Sequence, residues 1–157
     1  MTELSSKHPR FSGSCLCGDV QYSIKGAPVY AVYCYCSECR KFSGSPFSAL
    51  LGIGALQLSI NKGDESTIGR FEKSAKTHLR FCRRCGSSIY VEKIGDGFVH
   101  LRMGTLDTSP PIEINAHINT DSKAAWYSIP EDGLVRYTTN PPKELVAEFI
   151  RRSADGL

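Results

Sequence analysis

The sequence predicts a single, mainly β domain with one short C-terminal helix. Three observations carry this prediction: a length of 157 residues, strand-type alternation that recurs at short intervals, and one segment with a helical apolar stripe. A chain of roughly 100–200 residues is one ordinary domain and can bury a continuous core without staples. With 41% hydrophobic and 22% charged residues the composition is that of a soluble globular protein, neither disordered nor fibrous. Many short strands with little helix between them indicate an all-β sheet or sandwich.

The elements follow in order. Residues 1–10 are polar and contain no apolar signal core, so they read as a tail with no secretory signal. Val20, Tyr22 and Ile24 alternate with polar neighbours, and residues 29–33 are β-branched and aromatic; both read as strands. Residues 42–61 carry no charge, and a window of about 20 such residues can be a membrane span. Here Pro46, three glycines, four serines and Gln57 make the window too polar and too broken for one. It reads as two strands, 47–51 and 56–60, joined by a turn around Gly52 and Gly54. Thr77, Leu79 and Phe81 alternate, strands at 88–92 and 98–103 follow, and Ile112, Ile114, Ala116 and Ile118 alternate again.

The helix comes last. Asn140 is a candidate cap with Pro141 at the first helical position. Leu145, Val146, Phe149 and Ile150 form one apolar stripe, with Arg151 and Arg152 near the negative end of the dipole. The helix is expected to close the core; the alternative is docking on a second copy, as in a homodimer. The domain proper then spans residues 11–140, and residues 141–157 are the helix and tail. Nineteen basic against sixteen acidic side chains leave a formal charge of +3. This is too small and too scattered to indicate a nucleic-acid or membrane partner.

Cysteine is the outlier. Seven cysteines fall in three clusters: Cys15/Cys17, Cys34/Cys36/Cys39 and Cys82/Cys85. An odd number at spacings of two and three suits a shared metal ion better than disulfides, and indicates a reducing compartment, most simply the cytoplasm. The first and last clusters each offer two thiolates from a turn followed by glycine, which permits positive φ. Together they would complete a closed tetrahedral, structural zinc site; ordinary buried thiols are the alternative. The middle cluster offers three thiolates and no evident fourth, the pattern of a zinc with one open position. A soft exogenous thiol, bound as thiolate, suits that position best. The rivals are a structural zinc completed by a histidine and a redox-active trio. Spacing alone also leaves other pairings of the clusters open.

The order Gly13-Ser14-Cys15-x-Cys17-Gly18-x-Val20, Cys34-x-Cys36-Ser37-x-Cys39-Arg40-Lys41 and Phe81-Cys82-x-x-Cys85-Gly86 resembles the glutathione-dependent formaldehyde-activating enzyme (GFA) family, which includes centromere protein V-like proteins. Gly104-Thr105-Leu106-Asp107, His117-Ile118, Ser122-Lys123, Trp126 and Asp132-Gly133-Leu134 extend the likeness to about Tyr137. Val135 stands where family sequences often carry proline. The resemblance implies a zinc-binding β-tent fold with two zinc ions per chain. It assigns Cys15, Cys17, Cys82 and Cys85 to a structural zinc, and Cys34, Cys36 and Cys39 to the zinc of the catalytic site. It implies a carbon–sulfur lyase that joins formaldehyde and glutathione reversibly as S-(hydroxymethyl)glutathione. The alternative is a non-catalytic zinc module that binds a protein or nucleic acid, against which the weak net charge counts.

Other residues complete the expectation. Arg40 and Lys41 are candidates to hold the carboxylates of a glutathione-like tripeptide, with a solvated turn as their other reading. Glu38 is read as an exposed carboxylate before a proton shuttle. His8, His78 and His100 have no ligand spacing to a cysteine cluster, and His117 reads as a hydrogen-bonded structural histidine. Trp126 is expected in the core.

Overall fold

The computed structural model describes residues 10–155; the tail of residues 1–9, with His8, and residues 156–157 lie outside them. The expected alternation forms strands β1 (Arg10–Ser14), β2 (Gln21–Lys25) and β3 (Tyr30–Cys34), followed by a short helix α1 (Ser37–Ser43). Then come β4 (Ser48–Gly54), β5 (Leu58–Lys62), β6 (Ile68–Ser74), β7 (Thr77–Cys82), β8 (Ser88–Lys93) and β9 (Phe98–Arg102). The chain ends in β10 (Ala116–Ile118), β11 (Val135–Arg136) and the helix α2 (Lys143–Asp155). Strands β1, β2 and β5 form one antiparallel sheet, and the other eight form a second in the order β11-β10-β3-β4-β9-β8-β7-β6.

Successive side chains of a strand point to opposite faces, so the central strands of the large sheet serve two environments. One face contributes Ala31, Leu51, Ile53, Val99 and Leu101, which share a buried core with Phe11, Tyr22 and Ile24 of the small sheet. The other face follows from the registers. Tyr30 pairs with Gly52, Gly52 with His100, His100 with Val91, and Val91 with Leu79. One row along, Val32 pairs with Leu50 and Leu50 with Arg102. This second face is the floor on which the candidate site is built.

Several expectations are corrected. Gly52 is not a turn but lies inside β4, where a Cβ would sit 2.4 Å from the Tyr30 ring. Glycine is there to let that ring lie across the strand. The chain leaves β4 only after Gly54, through a 3₁₀ turn at Ala55–Gln57, and β5 crosses to pair with β2 of the other sheet. Ile112 and Ile114 precede the strand, because Asn115 is already bonded to Ala31 through both its backbone and its side chain. They pack on the main core instead. Helix α2 starts at Lys143 rather than Pro141, since a residue before proline avoids the α region and Pro142 follows Pro141. The Pro142 carbonyl accepts the first helical bonds from Leu145 and Val146, while the Asn140 side chain accepts from Asn119. The helix lies outside both apolar clusters of the core. Trp126, expected in the core, is 73% exposed on an irregular loop, with an edge-on contact to Tyr127. Val135 pairs in parallel with Ala116 as part of the edge strand β11. No helix among the described residues is long and apolar enough to cross a membrane.

Candidate metal centres and their cavity

Two connections bring the first and last cysteine clusters together. Cys15 and Cys17 lie in the turn from β1 to β2, Cys82 ends β7, and Cys85 lies in the turn to β8. Gly18 and Gly86, which close these turns, have φ of 80° and 76°. The four sulfurs lie within 4.8 Å of one another. Cys15 and Cys17 are 3.6 Å apart, and Cys17 and Cys82 are 3.8 Å apart. Those are the edges of a tetrahedron with metal–sulfur bonds near 2.3 Å, about 3.8 Å each, and they far exceed an S–S bond of about 2.05 Å. The Val20 N–H points at Cys15 Sγ from 3.2 Å, and the Ser87 hydroxyl lies 3.2 Å from Cys85 Sγ. The donor set and its geometry fit a metal ion with no vacant position.

The middle cluster sits where β3 runs into α1. The Cys36 side chain caps that helix by accepting the Cys39 N–H at 3.4 Å, and Gly44 ends it in the left-handed conformation. Helix α1 buries none of its residues, so the cap and the cysteine turn hold it rather than an apolar stripe. The sulfurs of Cys34, Cys36 and Cys39 also lie within 4.8 Å of one another, and among the described residues no histidine, carboxylate or further thiol joins them. Each sulfur is met by N–H donors, among them one reaching it from each of three places. Asn119 Nδ2 donates to Cys34 at 3.4 Å, the Cys39 amide to Cys36, and Arg102 Nη1 to Cys39 at 3.6 Å. Hydrogen bonds from Cys34 and Cys39 hold the Cys36 thiol down to about 2, while Cys34 is pushed up by its bonds to Cys36 and Cys39 and by burial. Three adjacent thiols cannot all ionise alone; a cation among them removes the conflict. This set fits a metal ion that keeps one position free.

The trio opens on a cavity of about 820 Å³. Its floor is the outer face of the large sheet, and the Leu145, Val146 and Phe149 side chains of α2 form its roof. Arg102 lies in its wall, only 6% exposed. The guanidinium stands 4.9 Å from the centre of the Phe42 ring, its Nε has no hydrogen-bond partner, and no carboxylate among the described residues pairs with it. Farther along the floor, Tyr30 Oη lies 2.9 Å from His100 Nδ1. Burial, reinforced by Lys93 and Arg102, holds His100 down to about 4.

The expected site residues are distributed as follows. The cysteines divide as four plus three. The Arg40 guanidinium donates to the carbonyls of Tyr35 and Ser122, tying α1 to the loop after β10, and does not line the cavity. Lys41 faces a second, smaller cleft beside Cys85 and Ser87. Glu38 lines the large cavity and is ion-paired with Lys73. His117 is fully buried, with Nδ1 2.9 Å from Tyr35 Oη and Nε2 3.0 Å from Asp132, whose carboxyl it holds below the usual range. Sequence reasoning missed Arg102, Asn119 and the Tyr30–His100 pair. No spacing rule links Arg102 or Asn119 to the cysteines; only the strand registers do.

Comparison with known proteins agrees with this architecture. Among curated proteins, none matches the chain. A crystal structure of a Rhodobacter sphaeroides protein shares the fold, with a TM-score of 0.54 and 19% identity over 66% of this chain and 96% of that one. The sequence profile of the glutathione-dependent formaldehyde-activating enzymes matches residues 10–122, a span that holds both cysteine sites and ends just past Asn119. With seven cysteines arranged as four plus three on this sheet pair, and the profile covering most of its length, the chain belongs to the glutathione-dependent formaldehyde-activating enzyme family.

Proposed function

We propose that the protein is a zinc-dependent carbon–sulfur lyase of the S-(hydroxymethyl)glutathione synthase type, joining formaldehyde to glutathione and cleaving the adduct. The observation that carries this reading is the three-thiol set at the end of a large cavity, with no fourth protein ligand among the described residues. A zinc ion held by Cys34, Cys36 and Cys39 would supply a position for the substrate sulfur and lower the thiol pKa, so that the thiolate is available at neutral pH. A second zinc, held by Cys15, Cys17, Cys82 and Cys85, is structural. The free cysteines fit a reducing compartment such as the cytoplasm.

The chain's own groups do three things in this reading. Asn119, the Cys39 amide and Arg102 draw electron density from the three cysteine sulfurs and fix their orientation. Arg102 adds a buried positive charge beside a centre that becomes more negative when a thiolate enters. Arg102 and Lys93, both in the cavity lining, are the cations offered to the carboxylates of a glutathione-like thiol, Lys73 being ion-paired with Glu38. Arg40 and Lys41 then act on the position of α1 and on the second cleft. The overall step is redox-neutral. The sulfur–carbon bond forms as the carbonyl becomes a hydroxyl, and the proton lost by the thiol equals the one gained by oxygen.

Cobalt-substituted protein tests the reading directly. Glutathione should change its visible spectrum, while S-methylglutathione, which cannot form a thiolate, should not. Formaldehyde consumption with glutathione should exceed the uncatalysed rate and disappear in Cys36→Ser. Silence of the spectrum towards every small thiol tried would reject the lyase.

A further inference from the structure

Resting on that thiol chemistry, we propose that the cavity between α2 and the large sheet selects adducts with a sizeable apolar substituent, of aryl or medium alkyl size, on the carbon attached to sulfur. The C-terminal helix is then a specificity element. Formaldehyde would be its smallest substrate and not its best.

Helix α2 needs cover on one face. Its stripe of Leu145, Val146 and Phe149 needs an apolar partner, because a helix of 13 residues is marginal in water without tertiary packing. Yet these side chains are only half-buried and join neither apolar cluster of the core. They line the cavity instead. Opposite them the floor is apolar for the same reason of register, with Val32 beside Leu50 and Val91 beside Leu79. Two apolar surfaces thus face each other across a space left open next to the cysteine trio.

The size and polarity of the space identify its occupant. At about 820 Å³ it lies in the upper part of the range of roughly 300–1,000 Å³ that encloses drug-sized ligands. Formaldehyde adds a single carbon to the thiol and gives the apolar part of the chamber, under Leu145, Val146 and Phe149, nothing to hold. Charged groups mark the two ends. Arg102 stands by the trio, and Lys93 pairs with Phe98, two residues beyond the His100–Val91 pair and on the same face. Between them the floor runs from Cys34 back to Tyr30, four residues or about 13 Å of strand, with Val32 facing the cavity midway. A thiol adduct with its anionic parts on the cations and an apolar arm under the helix satisfies both surfaces. Helix α2 also lies beyond residue 122, where the family match ends, so this roof belongs to the chain and not to the matched family core.

Thioethers of glutathione test the roof separately from the thiol chemistry, since none of them can become a thiolate. Calorimetric titration of the metal-loaded protein with S-methyl-, S-butyl- and S-hexylglutathione should show Kd falling about two- to fourfold per added methylene. Replacing Leu145, Val146 and Phe149 together by glutamine should flatten the series, with circular dichroism confirming that the β domain remains folded. Leu79→Trp leaves the helix intact and fills the floor. It should weaken the hexyl compound more than the methyl one, reversing the trend. A flat series in the unaltered protein, no binding of the hexyl compound, or a slope that survives both substitutions would overturn the inference. A graded series without a cobalt response to glutathione would instead remove the lyase and keep the apolar chamber. A cobalt response with a flat series would do the reverse.

Discussion

At the scale of single residues, the floor of the cavity depends on what is missing at position 52. Gly52 lets the Tyr30 ring cross β4 and reach His100, and any Cβ there collides with two ring carbons at 2.4 Å. Gly52→Ala should therefore cost about 1–3 kcal/mol, the usual penalty for overpacking, measurable as a shifted denaturant midpoint with an unchanged slope. His100 gives a pH dependence of known sign. Folding holds it at about 4 against an ordinary value of 6.5, through burial, Lys93 and Arg102, with Asp96 opposing. Protonation therefore favours the unfolded chain. The stabilisation is complete above pH 6.5 and is lost as pH falls towards 4, by at most about 3 kcal/mol. His100→Gln should remove this component, seen as a shallower loss of stability than in the unaltered protein at equal metal loading. The acid release of metal common to both proteins cancels in the comparison. The cysteines were legible at this scale because their spacing is local. Arg102 was not: inside a strand-forming run it reads as one more alternating polar residue, and its role arises 63 positions from Cys39.

At the scale of elements, the strands that could be read were those with one buried and one exposed face. Strand β2 shows this alternation, whereas β6 is exposed from Arg70 to Ser74 and owes its place to its ladder with β7. Helix α1 had no stripe to read because it buries none of its residues. Helix α2 was legible as a helix, but an amphipathic pattern states only that one face needs cover, not what covers it. The closed cysteine site joins the β1–β2 hairpin of the small sheet to the β7–β8 hairpin of the large one. The binding energy of an ion held there would be folding energy. Cys82→Ser should lower thermal stability severely and reduce soluble yield, since Cys82 is fully buried and links the two layers. Cys36→Ser, in a site that joins no second sheet, should leave the far-ultraviolet circular dichroism nearly unchanged.

For the whole molecule, the two cysteine sites differ in how many thiols they could offer an ion, four against three. Elemental analysis of protein prepared without chelators should give close to two zinc ions per chain. Mild chelation should remove the ion of the three-cysteine site first and stop near one while the fold persists, because four thiolates hold an ion more tightly than three. A preparation that never exceeds one under added zinc would remove the second centre. The sheet pairing also explains why the cavity itself could not be read from the chain. Its floor draws on β3, β4, β7, β8, β9 and β10, and each contributes only one to three residues.

The same wiring sets a timetable for a chain emerging from the ribosome. The four-cysteine site has all its thiols once Cys85 is out, and could capture an ion while the remainder is still being translated. The cysteine trio is complete much earlier, by Cys39, yet its sulfurs lack the side-chain donors Arg102 and Asn119 until those residues have been made. Strand β10, which carries the chain to Asn119, must then insert in parallel beside β3, with Ile118 opposite Cys34. The thiols that are synthesised as a ready trio therefore wait about eighty residues for their setting, exposed meanwhile to oxidants and to competing soft metals. The vulnerable interval of this protein lies in its making.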